Sequence, residues 1–167
     1  RDVFNAREQV SFYEGQRGSV GLEWAERGPD NVGGRTRAIL VDILDTTGNT
    51  VYAGSVAGGL FKSLNGGATW LPINDHSLAP AISCIDQGTN GTIYVGTGSS
   101  FESFDGSGSS GMIGMGMYKS TDGENFELLP VTIPTPTNST GADWTNINAI
   151  AVDPTNDERV FAATKQG

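Results

Sequence analysis

The chain has a single cysteine, Cys84, and a single histidine, His76. An intramolecular disulfide is therefore impossible, and a Cys/His zinc site cannot be assembled from one residue of each. Charge is scarce as well. Charged residues make up 17% of the 167, against roughly 25% in an average soluble domain, which argues against long solvated helices. Positive charge is scarcer than negative: ten Lys and Arg stand against nineteen Asp and Glu, a net charge of −9. Residues 1–37 hold six arginines and six acids, whereas residues 38–167 hold four basic residues and thirteen acids. Such an acidic body repels a phosphate backbone, so nucleic acid is disfavoured as a partner. No stretch approaches the ~18 consecutive apolar residues of a membrane span. The opening Arg1-Asp2-Val3-Phe4 has neither the basic nor the apolar region of a leader, and reads as a processed terminus or an internal cut.

Glycine, by contrast, is abundant. There are 24 glycines and seven prolines, glycine being at about twice its usual ~7% share, so turns are frequent. The chain also repeats itself, and a repeat of this size decides the architecture. Three segments read alike: Ala38-Ile39-Leu40-Val41-Asp42 followed by Val51-Tyr52-Ala53-Gly54, Ile82-Ser83-Cys84-Ile85-Asp86 followed by Ile93-Tyr94-Val95-Gly96, and Ala149-Ile150-Ala151-Val152-Asp153 followed by Val160-Phe161-Ala162-Ala163. Each is a short apolar strand ending in Asp, a polar turn, and a second strand rich in β-branched and aromatic residues. Gly48-Asn49, Asn90-Gly91 and Pro154-Thr155-Asn156 supply the turn chemistry.

The first two units continue. Gly59-Leu60-Phe61-Lys62-Ser63 and Gly116-Met117-Tyr118-Lys119-Ser120 are third strands, followed by glycine-bearing turns that end in Trp70 and Phe126. Fourth strands follow at Leu71-Pro72-Ile73 and Glu127-Leu128-Leu129. Four antiparallel strands per 40–45 residues is the size of a propeller blade. The expected strands lie near 38–42, 51–55, 59–63 and 69–73, then 82–86, 93–97, 116–120 and 126–130, with almost no helix. A loop of roughly Ser99 to Gly114 separates the second and third strands of unit two.

The turn string Ser-x-Asp-x-Gly-x-x-Trp resembles the Asp-box of BNR-repeat propellers. The wider pattern, with Gly28-Pro29, Gly33-Gly34-Arg35, "VYAGSVAGGLFKSLNGGATW" and "IYVGTG … GMYKSTDG", is similar to the sortilin (VPS10)-like bacterial propellers over residues 22–167. Asn65 stands in place of Asp in the first box, and the second box is one residue short with Phe126 for Trp. The resemblance implies an all-β propeller, of which about two and a half blades are visible. A propeller needs at least four, so the chain is expected to be part of a larger polypeptide. Residues 22–167 are its N-terminal blades, beginning with a lone strand at Leu22 to Arg27 that contains a packing residue, Trp24. Residues 1–21 are an extended arm.

Ser63, Asn65, Gly67 and Trp70, with Ser120, Asp122, Gly123 and Phe126, are expected to be structural. The hydroxyls and carboxamide or carboxylate bond the turn backbone, and Trp70 and Phe126 plug the space between sheets. Asp42, Asp86 and Asp153 are expected to share one turn role, and Cys84 is a small core residue. Function is sought on loops. Arg35 and Arg37, Asp75 and His76, Trp144, and the long loop with Phe101, Glu102, Phe104 and Asp105 are expected on one face. Asp75 and His76 could form an acid–base pair, although a lone loop histidine more often does nothing, and the serine- and glycine-rich loop also suits a passive insertion.

Two arginines could grip a carboxylate as sialidases do, but no Arg-Ile-Pro motif is present. Where xyloglucanase-like relatives carry an acid two residues before a Gly-Gly, this chain has Val56, and glycoside hydrolysis needs two carboxylates. No cofactor is called for. Clustered Asp and Asn could hold Ca²⁺, yet EF-hand spacing is missing. Asn90-Gly91-Thr92 and Asn138-Ser139-Thr140 are glycosylation sequons. Three roles follow from the resemblance: a secreted or cell-surface bacterial module that recognises protein or glycan, a glycoside hydrolase whose catalytic residues lie in further blades, or a passive module of a large exported protein handled by secretion machinery.

Overall fold

The structure, a computed structural model, describes residues 35–73, 81–98, 112–134 and 143–164. The arm 1–21, the strand 22–27 with Trp24, Asp75 and His76, Phe101, Glu102, Phe104 and Asp105 of the long loop, and the sequon at Asn138 lie outside the described residues.

Among the described residues, ten strands form three antiparallel sheets. The first contains β1 (Thr36–Val41), β2 (Val51–Ser55), β3 (Leu60–Ser63) and β4 (Leu71–Ile73), paired in chain order. The second repeats this with β5 (Ile82–Gln87), β6 (Ile93–Thr97), β7 (Met117–Ser120) and β8 (Glu127–Leu128). The third pairs β9 (Ile147–Asp153) with β10 (Asn156–Thr164). Among the described residues the helical content is two single 3-10 turns, Pro130–Thr132 and Asp143–Thr145. The expected all-β, four-stranded repeat is therefore present, with each expected strand found within a few residues of its place.

Burial along each strand shows how the sheets are layered. In β2 buried Tyr52 and Gly54 alternate with half-buried neighbours, the period-2 signature of a strand with one covered face. Every residue of β6 is buried, because the second sheet is covered on both faces. One core cluster joins Tyr52, Leu60 and Ile73 of the first sheet to Ile82, Ile93, Val95, Tyr118 and Phe126 of the second. Another joins Tyr94 and Met117 of the second sheet to Ile147, Ile150 and Val160 of the third. Neighbouring sheets approach most closely through β1, β5 and β9, which we call the inner strands.

Phe126 fills the space between the first two sheets at 4% exposure. Trp70 does not: it is 40% exposed. The register sets Ile39, Ala53, Phe61 and Pro72 in one row across the first sheet, and Trp70, two residues before Pro72, shares their side. That face is turned away from the second sheet, and Ile39 on it is 68% exposed. The two aromatics occupy the same repeat position, but only Phe126 has a described sheet opposite.

A recurring contact fastens the sheets. The Tyr52 hydroxyl donates to the Gly123 carbonyl of the next sheet at 3.2 Å, and burial pushes its phenol pKa upward. The Lys62 ammonium lies 5.4 Å from the Tyr52 ring centroid and pairs with Glu124. One repeat later, Tyr94 donates to the Asp157 carbonyl at 2.8 Å, while Lys119 lies 5.7 Å from the Tyr94 ring and 2.7 Å from Glu158. The Glu158 carboxylate holds the Lys119 pKa above its ordinary value, against a smaller opposing effect of burial. Both glutamates are exposed, so these ion pairs contribute little. Registration comes mainly from the buried tyrosine hydroxyls.

Candidate functional site

The sheets have two dissimilar ends. At one lie the β1–β2, β3–β4, β5–β6 and β9–β10 turns, where side-chain acceptors close the backbone. Ser63 Oγ accepts from Gly67 N at 2.8 Å and donates to Asn65 Oδ1 at 2.9 Å, and Asn65 Oδ1 also accepts from Thr69 N at 2.8 Å. In the second sheet Ser120 Oγ accepts from Gly123 N at 2.9 Å, and Asp122 Oδ1 accepts from Glu124 N and Asn125 N, each at 2.8 Å. The missing residue of the second turn shifts the serine contact from the fourth to the third residue onward. The side chains of Ser63, Asn65, Ser120 and Asp122 thus bond the backbone of their own turns.

The acids of this end are engaged in the same way. Asp45 accepts from Thr47 and Thr50, and those bonds hold its carboxyl well below the usual range. Asp122 is lowered by Asn125 and Glu124, and Asp153 by Thr155. One expectation needs correcting here. Asp42 accepts from Leu44 N and Asp153 from Thr155 N, two residues on in each case, but Asp86 accepts from Val152 N of the third sheet at 2.7 Å. The pairing explains it. Leu40 lies opposite Tyr52 and Asp86 opposite Tyr94, so Asp86 is the counterpart of Leu40, two positions before Asp42. Gln87, next along, instead reaches back to Asp42 Oδ1 at 2.8 Å.

The other end carries the connection Val56–Gly59 and the base of the long loop. Val56 N donates to the Arg35 carbonyl at 3.0 Å, so the arginines lie beside that connection, Arg35 exposed and Arg37 half-buried. The two ends of the long loop are pinched together. Gly98 N donates to Ala81 O at 2.9 Å, Gly114 N to Thr145 O at 2.7 Å, and Asn146 Nδ2 to Met112 O at 3.4 Å. Thr97 Oγ1 accepts from Met115 N at 2.9 Å and donates to Gly116 O at 2.6 Å. A Cβ on Gly98 would collide with Thr145 O, and one on Gly114 would lie 2.6 Å from Gly98 N, so this neck requires glycine at both places.

Trp144 stands at the same end. It is half-buried and packs against the cluster around Tyr94, Met117 and Ile147, so its ring is largely committed to the core. Cys84 packs in that cluster too, as expected, and burial pushes its thiol pKa up against weaker opposing effects of Ser83, the Gly96 backbone and the Arg37 charge. Among the described side chains, the charged groups at this end are Arg35 and Arg37, while the acids with bonded turns crowd the opposite one. The arrangement suits binding of anionic and hydroxyl-bearing groups through guanidinium, hydroxyl and amide contacts. No group of three or more His, Cys, Asp or Glu suited to a metal occurs among the described residues.

Sequence reading missed a feature of the inner strands. Each contains one residue more than its partner at the loop end: Arg37 between Thr36 and Ala38, Ser83 between Ile82 and Cys84, and Asn148 between Ile147 and Ala149. The recurring polar residue was visible, but its irregular pairing was not, since a bulge is defined against the partner strand.

No family model matches the chain, and no curated relative matches it. Among solved structures, an ancestral GH74 enzyme matches with a TM-score of 0.59 and 20% identity over 80% of this chain. A GH74 enzyme of Niastella koreensis matches with a TM-score of 0.51 and 21% identity over 75%. The chain spans 16% and 17% of those chains' lengths. At this identity the likeness concerns fold: the three sheets correspond to part of a β-propeller of the kind found in those glycoside hydrolases. No helix among the described residues is long and apolar enough to cross a membrane.

Proposed function

We propose that the chain is part of an exported bacterial β-propeller, of the BNR and sortilin-like type, whose loop-bearing end recognises a glycan or a protein without transforming it. The pinched neck of the long loop carries this reading. Ala81, Thr145 and Asn146 hold both ends of the loop through backbone and side-chain bonds, and a long loop fixed at its base on a rigid sheet is where binding surfaces arise. The arginines beside it supply the attraction that the acidic opposite end lacks. Secretion machinery is a further partner if the whole protein is exported cargo.

A second reading draws on the comparison: a glycoside hydrolase, its two carboxylates supplied by further blades. The fold likeness favours it, while Val56 removes one familiar position for an acid. Binding of the full-length protein to glycan arrays and to envelope proteins tests the first reading, with and without residues 99–111. We expect weaker binding of the shortened protein with little change in its melting transition, because the neck bonds remain. Release of reducing sugar from a polysaccharide panel would overturn the non-catalytic reading, and unchanged binding after shortening would make the loop a passive insertion.

A further inference from the structure

The sequence contains two Asn-Gly pairs, Asn65-Gly66 and Asn90-Gly91. Such pairs lose their side-chain amide spontaneously in water, because glycine has no Cβ to keep its amide nitrogen from the preceding Asn Cγ. As sequence the two are equivalent. Their surroundings make them unequal. Both asparagines are exposed, but Gly66 is exposed as well while Gly91 is buried. A Cβ on Gly66 would meet Asn49 Oδ1 at 3.6 Å, whereas one on Gly91 would collide with Leu44 of the first sheet.

The turns that carry them are also fastened differently. The β5–β6 turn is bonded to both neighbouring sheets. Gln87 Nε2 donates to Gly91 O at 3.2 Å and to Asp42 Oδ1 at 2.8 Å, and its Oε1 accepts from Ile43 N at 2.9 Å. On the other side, Thr89 donates through both its amide and its hydroxyl to the carboxylate of Asp157 in the third sheet. Among the described residues, the bonds of the β3–β4 turn stay within its own sheet: Gly66 N donates to Asn49 O at 2.9 Å, and the Asn65 side chain bonds Ser63 and Thr69. An exposed turn held by local bonds opens at a small fraction of the global unfolding free energy, whereas a turn bonded to two other sheets resists opening until those bonds break.

We propose that Asn65 is a deamidation site, converted to aspartate by attack of the Gly66 amide when the β3–β4 turn opens. The Gly66 nitrogen loses its proton to hydroxide and bonds to Asn65 Cγ, and Nδ2 leaves as ammonia, taking a proton from water. Water then adds to a carbonyl of the cyclic imide and breaks its bond to nitrogen. Cleavage at Cγ gives aspartate, and cleavage at the main-chain carbonyl gives isoaspartate. Overall, an amide and a water become a carboxylate and an ammonium ion. The folded turn suits the aspartate. Asp122 holds the corresponding place in the second sheet and accepts there from Glu124 N and Asn125 N. A carboxylate at position 65 keeps the acceptor for Thr69 N, and the Thr69 hydroxyl can rotate to donate to the oxygen that replaces Nδ2.

Peptide mapping by mass spectrometry tests this, on the full-length protein held at mildly alkaline pH with and without guanidinium chloride. In the folded protein Asn65 should convert about tenfold faster than Asn90, and in the denaturant the two rates should converge. Asp157→Ala frees Thr89 and should speed conversion of Asn90 several-fold while leaving Asn65 unchanged. Melting curves show whether that variant keeps its fold; if it does not, the folded and denatured parent protein decides alone. Equal rates in the folded protein, faster conversion of Asn90, or an Asn65 that persists while the denatured chain reacts fully would each overturn the proposal. So would a ratio that survives in denaturant, which assigns the difference to flanking sequence, or an unchanged Asn90 rate in folded Asp157→Ala.

Discussion

Replacing Gly123 by Ala should destabilise the protein through two effects that one further substitution can separate. Gly123 has φ +70°, the left-handed region in which a Cβ costs roughly 1–2 kcal/mol. The same Cβ would collide with the Tyr52 hydroxyl of the neighbouring sheet. Tyr52 is 1% exposed and donates to the Gly123 carbonyl, so displacing it leaves a buried hydroxyl unpaired at a cost of about 1–3 kcal/mol. Gly123→Ala should therefore cost about 2–5 kcal/mol in all. Tyr52→Phe removes the hydrogen bond and the colliding atom together and should cost only about 1 kcal/mol, since Lys62 also reaches the Gly123 carbonyl at 3.4 Å. In the double variant the backbone strain persists but the collision is gone, so the total should be about 2–3 kcal/mol, clearly less than the sum of the single changes. Urea unfolding of the four proteins measures this, provided the slope with denaturant stays constant. Additivity within ~0.5 kcal/mol, or a Gly123→Ala cost below that figure, would show that the tyrosine contact does not bind the two sheets as described.

Three other outcomes follow from the same geometry. Phe126→Ala should cost about 3–5 kcal/mol, while Trp70→Ala should cost distinctly less because solvent already reaches the indole. Matched urea melts check both, and equal costs would place the two rings in equivalent surroundings. Asp86→Ala leaves the Val152 amide without its acceptor and should cost about 1–2 kcal/mol, and Asp86→Asn less, in the same assay. Asp45, Asp122 and Asp153 have carboxyl pKa values below their unfolded value of ~4. On acidification the unfolded chain therefore binds protons first. The stability these turns contribute is complete above that value and is lost as pH falls toward the lowered folded ones. Melting temperature should be nearly level on the neutral side and decline below about pH 4. A variant with Asn at all three positions should show a shallower decline, and parallel curves would refute the assignment.

Strand identity, strand order and turn placement were determined by the sequence alone, because they depend on local chemistry that repeats. Val51-Tyr52-Ala53-Gly54 and Ile93-Tyr94-Val95-Gly96 carry the branched and aromatic residues of strands, and the Ser63 and Ser120 turns carry their own acceptors and glycines, so neither needs a distant partner to be recognised. Of the candidate loop-face residues, the described Arg35, Arg37 and Trp144 stand at the loop-bearing end, with Trp144 largely taken up by packing. What lies opposite each sheet face was settled only by the tertiary structure. Trp70 and Phe126 share a repeat position, yet one is exposed and the other enclosed, because enclosure depends on which sheet packs beyond. Register was settled there too. The two-residue displacement of Asp86 from the Asp42 position, and the bulges at Arg37, Ser83 and Asn148, exist only relative to a paired strand. A shift of one residue exchanges the faces of a strand without altering a letter of its sequence.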